Sequence, residues 1–221
     1  MKVGFITIGQ SPRVDVVPEM KPYLGDVEIF ELGALDGLSL EEIESLSPKE
    51  GDPVLVSRLR DGREAKLNSN LITRRLKECV KKIEDKVDII GLLCTGEFKE
   101  ISSKKILIEP SNLLAKTVES LNVNRLGILI PDPRQEEMTL RKWEGKAKEI
   151  TIGSISPYSG KEEELIRMAG ELKNCDLIVL DCIGYNLNVK RILRELTGRP
   201  ILLPRTLIAR VIGELLGGEK A

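Results

Sequence analysis

The sequence predicts an α/β protein with mostly parallel sheets. Two observations carry that prediction: short apolar strands alternate with amphipathic helical stretches, and the pattern repeats along the chain. KVGFITIGQSPR (Lys2 to Arg13) reads as a first strand, Val3 to Ile8, running into a polar loop, and RLGILIPDPR (Arg125 to Arg134) reads the same way. DIIGLLCTG (Asp88 to Gly96) matches DLIVLDCIG (Asp176 to Gly184), with Asp, apolar residues, Cys and Gly in register. PSNLLAKTV (Pro110 to Val118) matches PRTLIARVI (Pro204 to Ile212), each after a short strand, Ile106 to Ile108 and Ile201 to Leu203. The partners lie 123, 88 and 94 residues apart, so the first half carries roughly 30 extra residues before its cysteine strand.

That insertion, about residues 27–68, reads as a strand and turn (Val27 to Ser39), a short helix (Leu40 to Leu46) and a β-hairpin (Pro53 to Asn68) turning on Asp61-Gly62. The hairpin is either a structural flap, for instance at a dimer interface, or a lid that brings Arg58, Arg60 or Arg63 to an anionic ligand. The expected organisation is two pseudo-symmetric Rossmann-like (flavodoxin-like) lobes. The N-terminal lobe, 1–112, is completed by the C-terminal helix, 206–221, and the C-terminal lobe spans 113–205.

Composition narrows the function. The 221 residues are 41% hydrophobic and 31% charged, enough for a real core, and 34 basic against 35 acidic residues leave no excess charge to attract a nucleic acid. Aromatics at 3% offer few stacking platforms. The chain contains no histidine, which removes Ser-His and Cys-His couples and histidine-ligated metals. It has neither a signal-peptide pattern nor a membrane-spanning run, so a cytoplasmic protein without a membrane partner is expected. In that compartment Cys79, Cys94, Cys175 and Cys182 are free thiols, and their spacing gives no CxxC metal site. The first strand is followed by GQSPR rather than GxGxxG, which speaks against a dinucleotide cofactor.

Cys94 and Cys182 sit at the carboxyl ends of matching strands, where parallel sheets bind ligands, and Gly96 and Gly184 let backbone N–H groups approach an anion. Two thiols facing each other across one cleft suit racemisation: one thiolate takes the Cα proton and the other thiol returns one to the opposite face, with neither metal nor cofactor. The alternative is that these cysteines pack as small hydrophobes. Cys79, on the apolar face of Ile72, Leu76, Val80 and Ile83, and Cys175, before a strand, read as structural.

FITIGQSPR, LLCTGEF, IEPS (Ile108 to Ser111), LDCIGY and LLPRTLIAR together resemble the AroM family over essentially the whole chain. That family is similar to the aspartate/glutamate/hydantoin racemase superfamily, which implies two α/β lobes with the active site between them, and a homodimer. The resemblance implies a cofactor-independent racemase, epimerase or isomerase acting on a small carboxylate, with Cys94 and Cys182 catalytic. Ser11, Arg13, Thr95, Gly96, Ser111, Gly184 and Arg205 are the candidate substrate-binding residues. The alternatives are a single-cysteine lyase or decarboxylase, and a non-catalytic metabolite-binding protein. Superfamily racemases commonly read Asp-Ser-Gly, Cys-Asn-Thr and Gly-Cys-Thr where this chain has Gly9-Gln10-Ser11, Cys94-Thr95-Gly96 and Asp181-Cys182-Ile183. These departures point away from plain glutamate or aspartate as substrate. Strand alternation is expected to send Asp181 to the face opposite Cys182.

Overall fold

A computed structural model describes residues 1–217, and the end of the predicted C-terminal helix, 218–221, lies outside the described residues. In chain order the elements are β1 (Lys2–Thr7), α1 (Val17–Met20), β2 (Glu28–Gly33), α2 (Leu40–Glu44), β3 (Val54–Arg58), β4 (Glu64–Asn68), α3 (Ser69–Ile83), β5 (Ile89–Leu93), β6 (Ile106–Ile108) and α4 (Pro110–Ser120). There follow β7 (Arg125–Ile130), α5 (Glu136–Trp143), β8 (Glu149–Ser154), α6 (Glu162–Leu172), β9 (Leu177–Leu180), α7 (Leu187–Thr197), β10 (Ile201–Leu202) and α8 (Pro204–Leu215). The sheets run β2-β1-β5-β6 and β8-β7-β9-β10, each four-stranded with parallel pairings, and β3-β4 is a separate antiparallel hairpin.

The duplication reaches down to single hydrogen bonds. Asp88 accepts from the N–H of Lys2 at 2.8 Å while its own N–H donates to the Lys2 carbonyl at 2.9 Å. Asp176 does the same with Arg125, at 2.8 and 2.7 Å. These aspartates fix the register of the cysteine strand against the first strand of each half, because a one-residue slip would reverse every side chain.

Alternation then distributes the core. In β1, Ile6 joins Ile90 and Leu92 of β5 under the apolar face of α3, formed by Ile72, Leu76, Cys79, Val80 and Ile83. Val3 and Phe5 point the other way and join Ile89 and Leu93 under Ile208, Ala209 and Ile212 of α8. The second sheet repeats the plan: Leu129, Ile178 and Leu180 meet α6, while Leu126, Ile128, Leu177 and Val179 meet Leu114 and Val118 of α4. Each half therefore lends its last helix to the other half's sheet. With each buried aliphatic side chain worth about 1.5–3 kcal/mol, this exchange ties the halves together more firmly than a surface contact could. It requires α8 to close on the turn at Tyr23, where a Cβ on Gly213 would stand 2.1 Å from the Tyr23 carbonyl oxygen.

The hairpin forms as its turn residues dictate. Leu59 N–H donates to the Arg63 carbonyl at 2.8 Å, and Gly62 takes φ +93°, a conformation glycine adopts without strain. Ser39 caps α2 through a reciprocal pair with Glu42, and the Asn68 side chain caps α3. Cys79 and Cys175 both lie in the cores, bonded to no other cysteine. Among the described residues, no helix is long and apolar enough to cross a membrane.

Candidate active site

β5 is buried along its whole length, and the first residue beyond it is Cys94. The loop turns back at once, so that Gly96 N–H donates to Cys94 Sγ at 3.3 Å. After β9 the chain repeats the geometry: Gly184 N–H donates to Cys182 Sγ at 3.4 Å. Both thiols line one cavity of about 40 Å³ between the two halves.

One wall is the hairpin, which contributes Leu55 and Val56. Three ties hold it across the second half. Gln135 donates its side-chain amide to the Val54 carbonyl at 2.9 Å, Lys66 pairs with Asp132 at 2.8 Å, and Ser156 donates to Glu64. The hairpin arginines are engaged elsewhere: Arg58 bonds the Gly62 carbonyl, Arg60 holds the Ser11 carbonyl and Asp36, and Arg63 pairs with Asp61. The hairpin thus brings apolar surface, not cations, to the cysteines.

Thr95 and Gly96 line the cavity with the two cysteines, whereas Ser11, Arg13, Ser111, Gly184 and Arg205 do not form its wall. Ser11 bonds Asp36 through both its N–H and its hydroxyl. Arg13 is buried against Asp15, Thr7 and the Tyr158 hydroxyl. Ser111 is buried in the first turn of α4. Arg205 spends its whole guanidinium on the carbonyls of Asp15, Ile183 and Gly184 and on Glu19, supporting the loop beyond Cys182 from behind.

Two wall residues escaped the sequence reading. Lys142, on α5, donates to both carboxylate oxygens of Asp181 at 2.8 and 2.9 Å and to the Thr95 carbonyl at 2.8 Å. Asp181 also accepts from the Trp143 indole at 2.9 Å and lines the cavity with Cys182, contrary to the alternation argument. The reason is local: β9 stops at Leu180, and Cys182 N–H bonds back to the Leu180 carbonyl at 2.9 Å, a tight turn centred on Asp181 that ends the pleat. The signal available in sequence was the break in the repeat, where Leu93 stands opposite Asp181.

Burial governs the thiols. It raises Cys94 to about 11, against the lowering effects of the Gly96 N–H and Lys142. It raises Cys182 to about 12, against the Gly184 N–H, with Cys94 adding to the rise. Tyr158, beside Arg13, is also raised by burial. Both cavity cysteines are therefore thiols at neutral pH. Among the described residues, no cluster of three or more Cys, Asp or Glu stands close enough to hold a metal.

A family model described as AroM protein matches residues 3–216. The chain belongs to the AroM family. No protein of curated function matches it in sequence. Solved structures do share the fold of this AroM chain. Allantoin racemase from Klebsiella pneumoniae superposes with a TM-score of 0.61 at 14% identity, over 98% of this chain and 88% of its own. Picrophilus torridus aspartate racemase gives 0.61 at 13%, over 100% and 96%. The maleate isomerase Iso from Pseudomonas putida S16 gives 0.63 at 12%, over 98% and 93%. At these identities the likeness is one of fold.

Proposed function

We propose that the protein is a cofactor-independent racemase, epimerase or isomerase that moves the α-proton of a small carboxylate or carboxylate derivative between Cys94 and Cys182. The observation that carries this reading is that the two repeat-related thiols, each with the same N–H two residues on, line one cavity. In the reaction one thiolate takes the proton from Cα and becomes a thiol. The carbon flattens, and the other thiol gives its proton to the opposite face and becomes the thiolate. The resting thiols must first lose one proton to solvent. A thiolate formed at so buried a position is a strong base, which suits a weak carbon acid.

The wall bears on substrate choice. Among the described residues its one cation is Lys142, already paired with Asp181, and Glu97 adds a further acid. A dicarboxylate would meet no free positive charge there. A monocarboxylate or an uncharged acid derivative suits the charge balance better. The four free thiols agree with work in a reducing cytoplasm.

The test is deuterium wash-in at Cα in D₂O, read by mass spectrometry over a panel of amino acids, hydroxy acids and their amides, for wild type, Cys94→Ser and Cys182→Ser. Exchange that needs both cysteines supports the two-thiol reaction. Activity lost in only one variant points to a single-cysteine lyase, and no exchange across the panel overturns the proposal.

A further inference from the structure

The duplication makes the two cysteines equivalent in backbone but not in surroundings. Aligning the repeat, the residues flanking Cys94 are Leu93 and Thr95, and those flanking Cys182 are Asp181 and Ile183. The two polar members of this set are joined to each other: the Thr95 hydroxyl donates to the Asp181 carbonyl at 2.9 Å, and Lys142 bridges the Thr95 carbonyl to the Asp181 carboxylate. Lys142 and Asp181 are nearly closed to solvent, with side chains 7% and 5% exposed. A buried ion pair is a poor way to gain stability, because desolvation offsets most of the attraction, so its place beside two reactive thiols calls for another account.

We propose that Lys142 is a positioning residue that polarises the pair, making Cys94 the cysteine that ionises and Cys182 the one that keeps its proton, with Asp181 holding the ammonium on the Thr95 side. The inference rests on the two-thiol reading of the site. Every charged or titratable neighbour bears on it. Cys94 shares the cavity wall with Lys142, Asp181 and Glu97, feels Arg13 from outside that wall, and takes the Gly96 N–H at its sulfur. Cys182 faces Cys94, Arg13 and Asp181, with the Gly184 N–H at its sulfur and the phenols of Tyr158 and Tyr185 nearby. Arg13 favours ionisation of both thiols and Asp181 opposes it at both, so neither decides between them. Lys142 favours ionisation of Cys94, lines the cavity with it and bonds the carbonyl of Thr95, the residue that follows it. In the proton transfer this sets a direction: Cys94 releases a proton to solvent, its thiolate accepts the substrate's proton, and Cys182 donates.

The experiment is a pH titration of ¹³Cβ-labelled cysteine by NMR on the full chain without substrate, which resolves each thiol separately. Wild type should show Cys94 titrating below Cys182. Lys142→Met should move the Cys94 midpoint up by about one pH unit and Cys182 much less, and Lys142→Arg should keep the wild-type order. Since Lys142→Met strands Asp181, the comparison is repeated in an Asp181→Asn background, where the introduced amide oxygen can still accept from Trp143 and the same difference on adding Lys142→Met is expected. A Cys94 midpoint that ignores Lys142 in that background, or one that moves equally with Cys182, overturns the proposal. The titration involves no turnover, so its outcome stands apart from the wash-in result: absent exchange refutes the reaction, and an unmoved Cys94 refutes the polarising role.

Discussion

Replacing Arg205 by lysine distinguishes a structural clamp from a ligand contact. The guanidinium makes five bonds: Nε and one terminal nitrogen to the Ile183 carbonyl at 3.1 and 2.8 Å, the same terminal nitrogen to the Gly184 carbonyl at 2.9 Å, and the other to the Asp15 carbonyl and Glu19, both at 2.9 Å. An ammonium has three donors and no fork, so at least two bonds are lost and one acceptor is left without a partner. At about 1.5 kcal/mol for each charge-assisted bond the loss is about 3 kcal/mol, and at about 2–4 °C per kcal/mol for a chain of this size Tm falls by about 6–12 °C. Urea denaturation and calorimetry read both quantities. Because Ile183 and Gly184 form the loop beyond Cys182, turnover should fall along with stability. An Arg205→Lys protein of wild-type stability whose KM alone rises would refute this reasoning and return Arg205 to the ligand.

Other expectations follow from the same contacts. Cys79 and Cys94 are raised to about 11 and Cys182 to about 12, chiefly by burial, while an unfolded thiol titrates near about 8.5. Between those values the native state holds more protons than the unfolded one, so stability is full below about pH 8.5 and falls as pH rises towards 11. Urea midpoints from pH 8 to 11 check this, and a flat profile would contradict it. Ser57 Oγ is the buried side-chain oxygen without a partner among the described residues, so Ser57→Ala should raise stability by about 1 kcal/mol. A comparable loss would show that the hydroxyl is bonded in solution. Lys66→Met combined with Gln135→Ala removes two of the three hairpin ties, and alkylation of Cys94 should then quicken by about tenfold. An unchanged rate would mean that access to the cavity lies elsewhere.

The frame was legible in the chain because strands, turns and caps leave local signatures. Asp88 and Asp176 before the cysteine strands, Cys94 and Cys182 beyond them, and Pro110 and Pro204 at the start of α4 and α8 occupy matching places in the two halves, and Asp61-Gly62 makes the turn of the hairpin. The cavity wall was not legible for equally specific reasons. Lys142 lies in RKWEGK, next to an Arg141 that is 71% exposed, and only the packing of α5 over the end of β9 sets it apart. Arg205 carries no mark of its partners, because three of its four acceptors are backbone carbonyls distant in sequence. Asp181 was misplaced because alternation holds only within a strand, and β9 ends one residue before it.

The pH dependence of exchange joins the chemistry to these surroundings. A reaction that needs one thiolate and one thiol is limited near neutrality by the thiolate, and with Cys94 at about 11 that form is about one part in ten thousand at pH 7. Wash-in measured under kcat/KM conditions should therefore climb by about tenfold per pH unit above neutrality, until ionisation of Cys94 levels it. Lowering the thiol's pKa would enlarge the reactive fraction but weaken the base in the same stroke, so burial of the thiol trades abundance of thiolate for basicity. Asp181→Asn moves along that trade. With the carboxylate gone, Lys142 acts on Cys94 unopposed, the alkaline rise should begin at lower pH, and the plateau should be lower because the thiolate is the weaker base. Exchange that peaks at neutral pH in wild type, or an Asp181→Asn profile displaced to higher pH, would be incompatible with proton abstraction by a thiolate at Cys94.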